Sequence, residues 1–416
     1  MGRPPTSLRY PLKEVMNMSA QKFIGIDVSK DSFTAAIFLP EENSLSIHSF
    51  PLNHQGLHNF YNLINSNPSP IIALESSGPY SSLLLGNLQN QGFEPNLLNP
   101  LRIKKFASSF SLRPTKTDSV DAKHIALFLA SSCQPLPSIQ SQPDPQRQGL
   151  ALLARHLESL SQQIAAIKCQ IRQLLHFLFP ELPDKINPFS KFALHLLLHY
   201  PSAQAVRKAS PQAILETLKK ATSKKGRRVH LSVARFKRLA ENSIGLSDPA
   251  REHLLKSLIR HLFSLQEEFR ILSRHFIWQA KEYAPSAWKI LLSIPGLGEL
   301  SAAIIIAEIG DISRFPNAKK LVAYVGFDPS VYESGKTHRR SRISKRGNPH
   351  LRRILFIVAQ QVVRRTQTFR SYYRRLRSRG KAYRQAMVAV AAKLLRVIYA
   401  LLTRGTPFQD NYSPNS

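Results

Sequence analysis

Cysteine and acidic residues are scarce in this chain. Its 416 residues include only two cysteines, Cys133 and Cys169. They cannot form the disulfide framework of a small secreted protein and lack the spacing of a zinc site, so they fit a reducing cytoplasm. There are 26 acidic residues against 58 lysines and arginines, a formal net charge of +32. This excess calls for a polyanionic partner, for which nucleic acid is a better candidate than acidic lipid.

Long apolar runs are also missing. The run that comes nearest to a membrane span, AMVAVAAKLLRVIYALL at 386–402, is interrupted by Lys393 and Arg396. It is shorter than the ~20 apolar residues that cross a bilayer, so we interpret it as a core helix. Residues 1–20 carry charges without an apolar core, which predicts an extension and no signal peptide. Met16 and Met18 offer alternative starts within it.

The charge is unevenly distributed. Residues 21–134 contain 8 basic and 8 acidic side chains, whereas residues 336–404 contain 20 basic and no acidic ones. We therefore expect carboxylate chemistry in the front of the chain and phosphate binding in the back.

The order of sequence patterns predicts an α/β plus α protein. Three strand-like runs, QKFIGIDVS, SFTAAIFLP and SLSIHSFPL, precede alternating helices and strands, which favours a ribonuclease-H-like domain at 21–133. The proline-rich QPLPSIQSQPDPQR indicates a linker at 134–148. We assign a helical coiled-coil region to 149–285, a helix-rich basic domain to 286–405 and a tail to 406–416.

Two long helices are predicted in the middle region. The second begins at Ser247-Asp248-Pro249 and places Leu254 at the start of its apolar row, which keeps heptad spacing only loosely. The first keeps steps of three and four throughout, at Leu150, Leu153, Leu157, Leu160, Ile164, Ile167, Ile171, Leu174 and Leu178. Such a seam favours a coiled coil between two chains, with pairing inside one chain as the alternative.

Four acidic residues are candidates for metal binding. Asp27 and Glu75 each end an apolar strand, and Asp118 and Asp121 share one face at the start of a helix. Two Mg²⁺ ions about 4 Å apart need carboxylates from several elements. The structural alternative is a turn or cap at each position, and Asp118 with Asp121 resembles a capping box. The nearby Asp31 has no assigned role.

The back of the chain offers phosphate-binding patterns. Gly296 and Gly298 in IPGLGELSAA resemble a helix-hairpin-helix turn, with a plain turn and cap as the alternative. Ser334 and Gly335 precede a dense basic row formed by Lys336, Arg339, Arg340, Arg342, Lys345, Arg346, Arg352 and Arg353. A serine among such cations can attack a phosphate. The residues alone leave Ser334 as a turn and make Ser341 and Ser344 equally eligible.

Aromatic residues are interleaved with arginines further along. Phe369, Tyr372, Tyr373 and Tyr383 lie in the arginine-rich stretch 369–384. This pattern suits backbone contact plus stacking on unpaired bases, in RNA or single strands as well as duplex DNA. The alternative is a helix face whose aromatic residues pack in the core.

Five strings together resemble the DEDD transposases of the insertion-sequence one-ten family, in order and spacing, over residues 22–402. They are GIDVSK, LESSGPY, TKTDSVDAKHIA, IPGLGELSAAIIIAEIGDISRF and YVGFDPSVYESGKTHRRSRISKRGNPHLRR. The resemblance implies a RuvC-like N-terminal domain, a coiled-coil middle and a C-terminal transposase domain. It implies an Asp-Glu-Asp-Asp tetrad at Asp27, Glu75, Asp118 and Asp121, and a serine nucleophile at Ser334.

The same resemblance implies the cofactor and partners. These are Mg²⁺, as two ions that Mn²⁺ can replace, the DNA of the element ends and target, a non-coding guide RNA, and a homo-oligomer (dimer or tetramer) at the nucleoid of a prokaryotic cytoplasm. We expect a site-specific recombinase that forms a covalent phosphoserine. The alternatives are a metal-dependent junction nuclease that uses water, and a nucleic-acid-binding protein that cuts nothing.

Overall fold

The structure is a computed structural model that describes residues 22–65, 70–75, 78–98, 100–110, 117–131, 144–221, 232–334 and 337–410. It forms two compact units, which divide after Pro145. The predicted extension at 1–20 and most of the predicted linker lie outside the described residues. The last residues of that linker are helical, since α5 begins at Pro145. Proline fits the first turn of a helix because the N–H that it lacks has no partner there.

Among its described residues, the first unit contains a five-stranded sheet and four helices. The elements follow as β1 (Phe23–Val28), β2 (Ser32–Leu39), β3 (Ser44–Pro51), α1 (His54–Ile64), β4 (Ile71–Glu75), α2 (Pro79–Asn90), β5 (Asn96–Leu98), α3 (Pro100–Phe110) and α4 (Asp118–Ser131). The strand order is β3-β2-β1-β4-β5. The first three strands are antiparallel neighbours, and β4 and β5 are parallel to β1. This confirms the predicted succession of hairpin strands and then alternating helices and strands.

Alternation along β1 separates two cores. Ile24 and Ile26 pack on one face with residues of α1 and α2. Phe23 packs on the other face with residues of α3 and α4. Because successive side chains of a strand point to opposite faces, Asp27 lies on the face of Phe23, which α4 covers.

The part of the second unit that the structure describes is helical apart from one hairpin. Its helices are α5 (Pro145–Leu178), α6 (Leu182–Lys185), α7 (Lys191–His199), α8 (Ala203–Lys208), α9 (Pro211–Ala221), α10 (Val233–Glu241), α11 (Pro249–Tyr283), α12 (Pro285–Leu292), α13 (Glu299–Ile309), α14 (Ala318–Val325), α15 (Pro349–Arg365), α16 (Gln367–Ser378) and α17 (Tyr383–Arg404). A 3-10 turn spans Ile312–Arg314. The antiparallel strands β6 (Pro329–Ser334) and β7 (Thr337–Ile343) form the hairpin. The predicted middle and C-terminal segments share one hydrophobic core.

The two long helices α5 and α11 contact each other in an antiparallel manner within one chain. The Arg251 guanidinium lies 3.8 Å from the ring centroid of Phe177, near the start of α11 and the end of α5. Further along, His156 Nε2 lies 3.8 Å from Glu268 Oε1. Most of the predicted α5 seam is buried in the chain's own core, as the alternative to a seam between chains expects. The prediction for α11 is wrong at Leu254, which is 50% exposed, because the buried row starts at Leu255.

Helix α17 covers the apolar run at 386–402. It is the one helix in the described ranges with the length and composition to cross a membrane. Eight of its residues, from Ala386 to Ile398, are buried inside the second unit. This burial agrees with the interpretation of the run as a core helix.

Candidate active site

Asp27 and Glu75 lie side by side at one edge of the sheet. Strands β1 and β4 are parallel, with Ile26 opposite Leu74, and the next residue on each strand is the acid. Matched positions on parallel neighbours point to the same face of the sheet. Both acids are half-buried. The apolar residues that precede the two acids are buried in the centre of the sheet, and the acids lie at the C-terminal ends of their strands.

A glycine allows α4 to approach this face closely. A Cβ atom on Gly25 would lie 2.2 Å from the Ala126 backbone nitrogen and 2.4 Å from the Ala122 carbonyl oxygen. Only a residue without a side chain permits this contact between strand and helix. Asp27 is two residues further along the same face of β1. Asp121 immediately precedes Ala122 on α4, so the glycine contact brings the helix-borne acids toward the strand-borne ones.

Electrostatics show that the four acids are neighbours. The pKa of Asp27 is raised from 3.8 to about 6, first by burial and then by the negative charges of Asp121, Asp118 and Glu75. A backbone hydrogen bond from Val28 opposes this rise. Carboxylates from β1, β4 and α4 therefore share one region of negative potential.

The start of α4 is capped by a threonine. The backbone N–H groups of Val120 and Asp121 both donate to the Thr117 carbonyl oxygen, at 2.9 Å, and Val120 N–H is 3.3 Å from Thr117 Oγ1. A capping box formed by Asp118 and Asp121 is therefore not needed to start the helix. Both acids still lie in the first turn of α4, at the positive end of the helix dipole.

The donor set fits a hard divalent cation in its chemistry. Carboxylate oxygens are the ligands that Mg²⁺ prefers, and mutual repulsion among them is relieved by a bound cation. Within the ranges that the structure describes, no three His, Cys, Asp or Glu side chains lie close enough to hold an ion as they stand. The four acids thus form an open arrangement, coupled through their charges, in which Asp27 is the central member.

Ser334 is the last residue of β6, where its backbone pairs with Thr337 of β7. The side chains of Ser334, Ser341, Arg339, Arg340 and Arg342 and the whole of Lys336 lie outside what the structure describes. Ser334 therefore lies within β6, at its last residue, and not in the turn that the residues alone predict.

The base of this hairpin is closed by a serine and an aspartate. Ser344, directly after β7, donates its hydroxyl to Asp328 Oδ1 at 2.7 Å, and its backbone N–H donates to the Asp328 carbonyl at 2.8 Å. Arg346 N–H is 3.3 Å from the Ser344 hydroxyl oxygen. These contacts give the Ser344 hydroxyl a structural role in the hairpin.

Four of the predicted basic residues follow the hairpin. Lys345 and Arg346 are exposed. Arg352 Nη1 donates to the Val325 carbonyl at 2.8 Å and lies 3.4 Å from the Lys345 carbonyl, so it holds the loop to the end of α14. Arg353 Nε lies 3.4 Å from Glu158 Oε1 of α5. Lys345 and Arg346 are thus better placed than Arg352 and Arg353 to meet a phosphate.

The two glycines of the predicted phosphate-binding turn differ in their surroundings. Gly296 has a φ of +99°, and a Cβ there would lie 2.9 Å from the Gln361 carbonyl carbon. This glycine is needed for the close approach of the turn to α15. Gly298 is the exposed N-cap of α13 and has open space around it. The turn joins α12 to α13 and leaves the Gly298 side open.

A buried acid that the sequence patterns do not single out joins several of these elements. Glu308 on α13 is 1% exposed, and its carboxylate accepts hydrogen bonds from Arg155 Nε at 3.1 Å and Arg155 Nη2 at 3.3 Å. Asn348 Nδ2 donates to the same carboxylate at 2.6 Å, while Asn348 Oδ1 caps α15. Glu308 thereby anchors α5 and the start of α15 to α13. Its position inside the apolar run SAAIIIAEIG is the signal that marks it.

Comparison with known proteins finds two matching family models. Residues 24–180 match the model of DEDD transposases of the IS110 type, and residues 288–374 match the model described as "Transposase IS116/IS110/IS902 family". The first match contains all four acids of the sheet and α4. The second contains the hairpin and the Gly296 turn.

Curated relatives match over most of the chain. An uncharacterised 43.6 kDa protein of insertion element IS110 from Streptomyces coelicolor is 24% identical over 93% of this chain and 95% of its own length. A pilin gene-inverting protein from Moraxella bovis is 25% identical over 94% and 98%. A transposase for insertion sequence IS1111A from Coxiella burnetii is 31% identical over 40% and 46%.

Proposed function

We propose that this chain is a transposase of the IS116/IS110/IS902 family, as its two family matches support, and that it cuts and rejoins DNA through a metal ion held by four carboxylates and a covalent phosphoserine. The observation that carries the metal half is the pKa of Asp27, which the charges of Asp121, Asp118 and Glu75 all raise. Acids gathered by chance as turns or caps would not converge from three elements on one carboxylate.

In this proposal Asp27, Glu75, Asp118 and Asp121 hold the cation. When bound, Mg²⁺, or Mn²⁺ in its place, polarises the scissile phosphate and stabilises the leaving oxygen. The chain's own contribution is to bring oxygen donors from β1, β4 and α4 to one sheet edge. With a pKa of about 6, Asp27 is mostly ionised at neutral pH and so is ready to act as a ligand.

The Ser334 hydroxyl would be the nucleophile toward a DNA phosphate. Its oxygen forms a bond to phosphorus, the bond from phosphorus to a deoxyribose oxygen breaks, and the serine proton ends on the released sugar hydroxyl. Because a phosphodiester is conserved as phosphoserine, a second DNA hydroxyl can reverse the step without ATP. Lys345 and Arg346, which are exposed just beyond β7, would contact the DNA backbone.

The family resemblance supports two further parts of the proposal. A non-coding RNA from the element would select the DNA by base pairing, and the active species would be a dimer or tetramer. Base pairing would supply the sequence specificity, while the basic C-terminal region supplies contacts to phosphates.

The test of the carboxylate site is cleavage of labelled element-end DNA by the full chain purified with its co-purifying RNA. We expect cleavage with Mg²⁺ or Mn²⁺, none with EDTA, and at least a 10²-fold loss for Asp27→Asn or Asp121→Asn, the order of magnitude for removing one electrostatic stabiliser. Asp31→Asn is the matched control, because Asp31 is an exposed acid close to Asp27 in sequence. Full activity of the Asp27 and Asp121 variants would contradict the proposal.

A further inference from the structure

A cluster of exposed cations surrounds the end of α16, beyond the hairpin in sequence. Arg374 and Arg377 lie on α16, Arg379 and Lys381 follow it, and all four are exposed. We call these four side chains the α16 basic surface. The chain has no acidic residue between Glu333 and Asp410. The four cations of this surface are therefore not interspersed with acidic residues in the sequence.

The helix that carries this surface is anchored at its start. Phe369 is fully buried, and its ring stacks on Phe408 with centroids 6.2 Å apart. The Asp410 carboxylate accepts hydrogen bonds from the backbone N–H groups of Gln367 at 2.7 Å and Thr368 at 3.0 Å. The segment after α17 thus folds back and caps α16.

The far end of α16 is anchored as well. Leu376 is buried, and Lys381 N–H donates to the Leu376 carbonyl at 3.2 Å. Arg377 Nη1 donates to the Lys381 carbonyl at 2.7 Å. The charged side chains therefore lie on an ordered turn, which lowers the entropic cost of binding a partner.

These cations have no acidic partner in the described part of the chain. The side chains of Arg374, Arg379 and Lys381 make no hydrogen bond or ion pair there. Beside them, burial and the charge of Arg375 both lower the pKa of Lys393. The dipole of α16 favours a cation or two at its C-terminus but does not account for the whole group. Repulsion among the cations favours binding of an anion.

Most of the aromatic residues near this surface already contact other side chains of the protein. Lys393 Nζ lies 4.6 Å and the Arg375 guanidinium 5.4 Å from the ring centroid of Tyr372. Tyr373 packs against the hydrophobic core. Tyr383 stays exposed, but a single ring does not form a row of stacking platforms. The surface offers contacts to phosphates and little for unpaired bases, which favours a duplex over a single strand.

We propose that the α16 basic surface docks the phosphate backbone of duplex DNA without reading its sequence. This deepens the proposed function and rests on it, since it takes DNA as the substrate and adds a contact separate from the Ser334 hairpin. The arginines and the lysine would displace counterions from the duplex, so binding through them falls steeply with salt.

The test is equilibrium binding of the full chain to a random-sequence duplex in EDTA, where the proposed cleavage does not occur. The variant is Arg374→Gln with Arg379→Gln and Lys381→Gln. The matched control is Lys185→Gln with Arg260→Gln and Lys281→Gln, three exposed cations on other helices of the same unit. We expect the variant's log–log salt slope to be shallower by about 3 and its affinity to fall on the order of 10²-fold near 0.1 M salt, with the control unchanged.

Three outcomes would overturn this inference: wild-type affinity in the variant, equal losses in variant and control, or a loss limited to single-stranded DNA or RNA. Cleavage through the proposed phosphoserine is measured in a separate experiment. Intact cleavage by Ser334→Ala would count against the proposed nucleophile only. Loss of duplex binding in the α16 variant would support the docking surface even in that case.

Discussion

At the scale of single residues, Asp27 is the residue at which the packing of the fold most directly affects the proposed metal site. It is half-buried at the end of β1, and burial together with three neighbouring carboxylates raises its pKa to about 6. Its folded pKa lies above the unfolded value near 3.8. The contribution of the Asp27 carboxyl to the stability of the fold is therefore fully present below about pH 4. This contribution is lost as the pH rises through about 6.

This sign gives a prediction for Asp27→Asn in EDTA. The shift of about two pKa units corresponds to ~3 kcal/mol at most, and solvent screening of this half-buried group reduces it to ~1–2 kcal/mol. We expect the variant to exceed the wild type in free energy of unfolding by that amount at pH 8 and to match it near pH 4. Urea titrations across this pH range measure the difference. A difference between Asp27→Asn and the wild type that does not change with pH would contradict the electrostatic account.

The strand-ending acids could be identified from the sequence, whereas their surroundings could not. GIDVSK and LESSGPY show an acid after an apolar run, but nothing in them shows that β1 and β4 are neighbours. The buried Glu308 was not predicted, because its partners Arg155 and Asn348 are distant in sequence. The eligibility of Ser344 as a nucleophile is lowered by a hydrogen bond to Asp328 that only the folded hairpin reveals.

At the scale of elements, the packing of α4 on β1 decides whether the acids converge. Gly25 has Ala122 and Ala126 directly against it, and both alanines are fully buried. The sequence predicted the strand and the helix but not their close approach. The same holds for α11, where the sequence predicted a row that starts at Leu254, whereas the fold buries Leu255 and leaves Leu254 exposed.

The contact at Gly25 predicts a specific effect of Gly25→Ala. The added methyl group would overlap the α4 backbone, so the helix has to move, at a cost of about 1–3 kcal/mol in stability. Moving α4 displaces Asp118 and Asp121 and should reduce metal-dependent cleavage along with stability. Gly86→Ala in α2 is the matched control, since its new Cβ meets open space and should stabilise the helix slightly. Unchanged cleavage by a folded Gly25→Ala protein would contradict this role of α4.

At the scale of the whole molecule, two units divide the proposed work. The first carries the four carboxylates, and the second carries the hairpin with Ser334, the Gly296 turn and the basic surfaces. The charge asymmetry along the sequence predicted this division. The sequence could not show that the middle helices and the C-terminal helices share one core, since that depends on contacts such as Arg155 with Glu308.

The most direct test of the central claim is to look for DNA covalently attached to the protein. The full chain with its co-purifying RNA is incubated with end-labelled element DNA and Mg²⁺, denatured, and the labelled peptide is mapped by mass spectrometry. We predict a phosphodiester at Ser334 that is absent from Ser334→Ala and from Asp27→Asn and is retained in Ser341→Ala. Metal-dependent nicks without an adduct, unchanged in Ser334→Ala, would contradict the account and identify a nuclease that uses water.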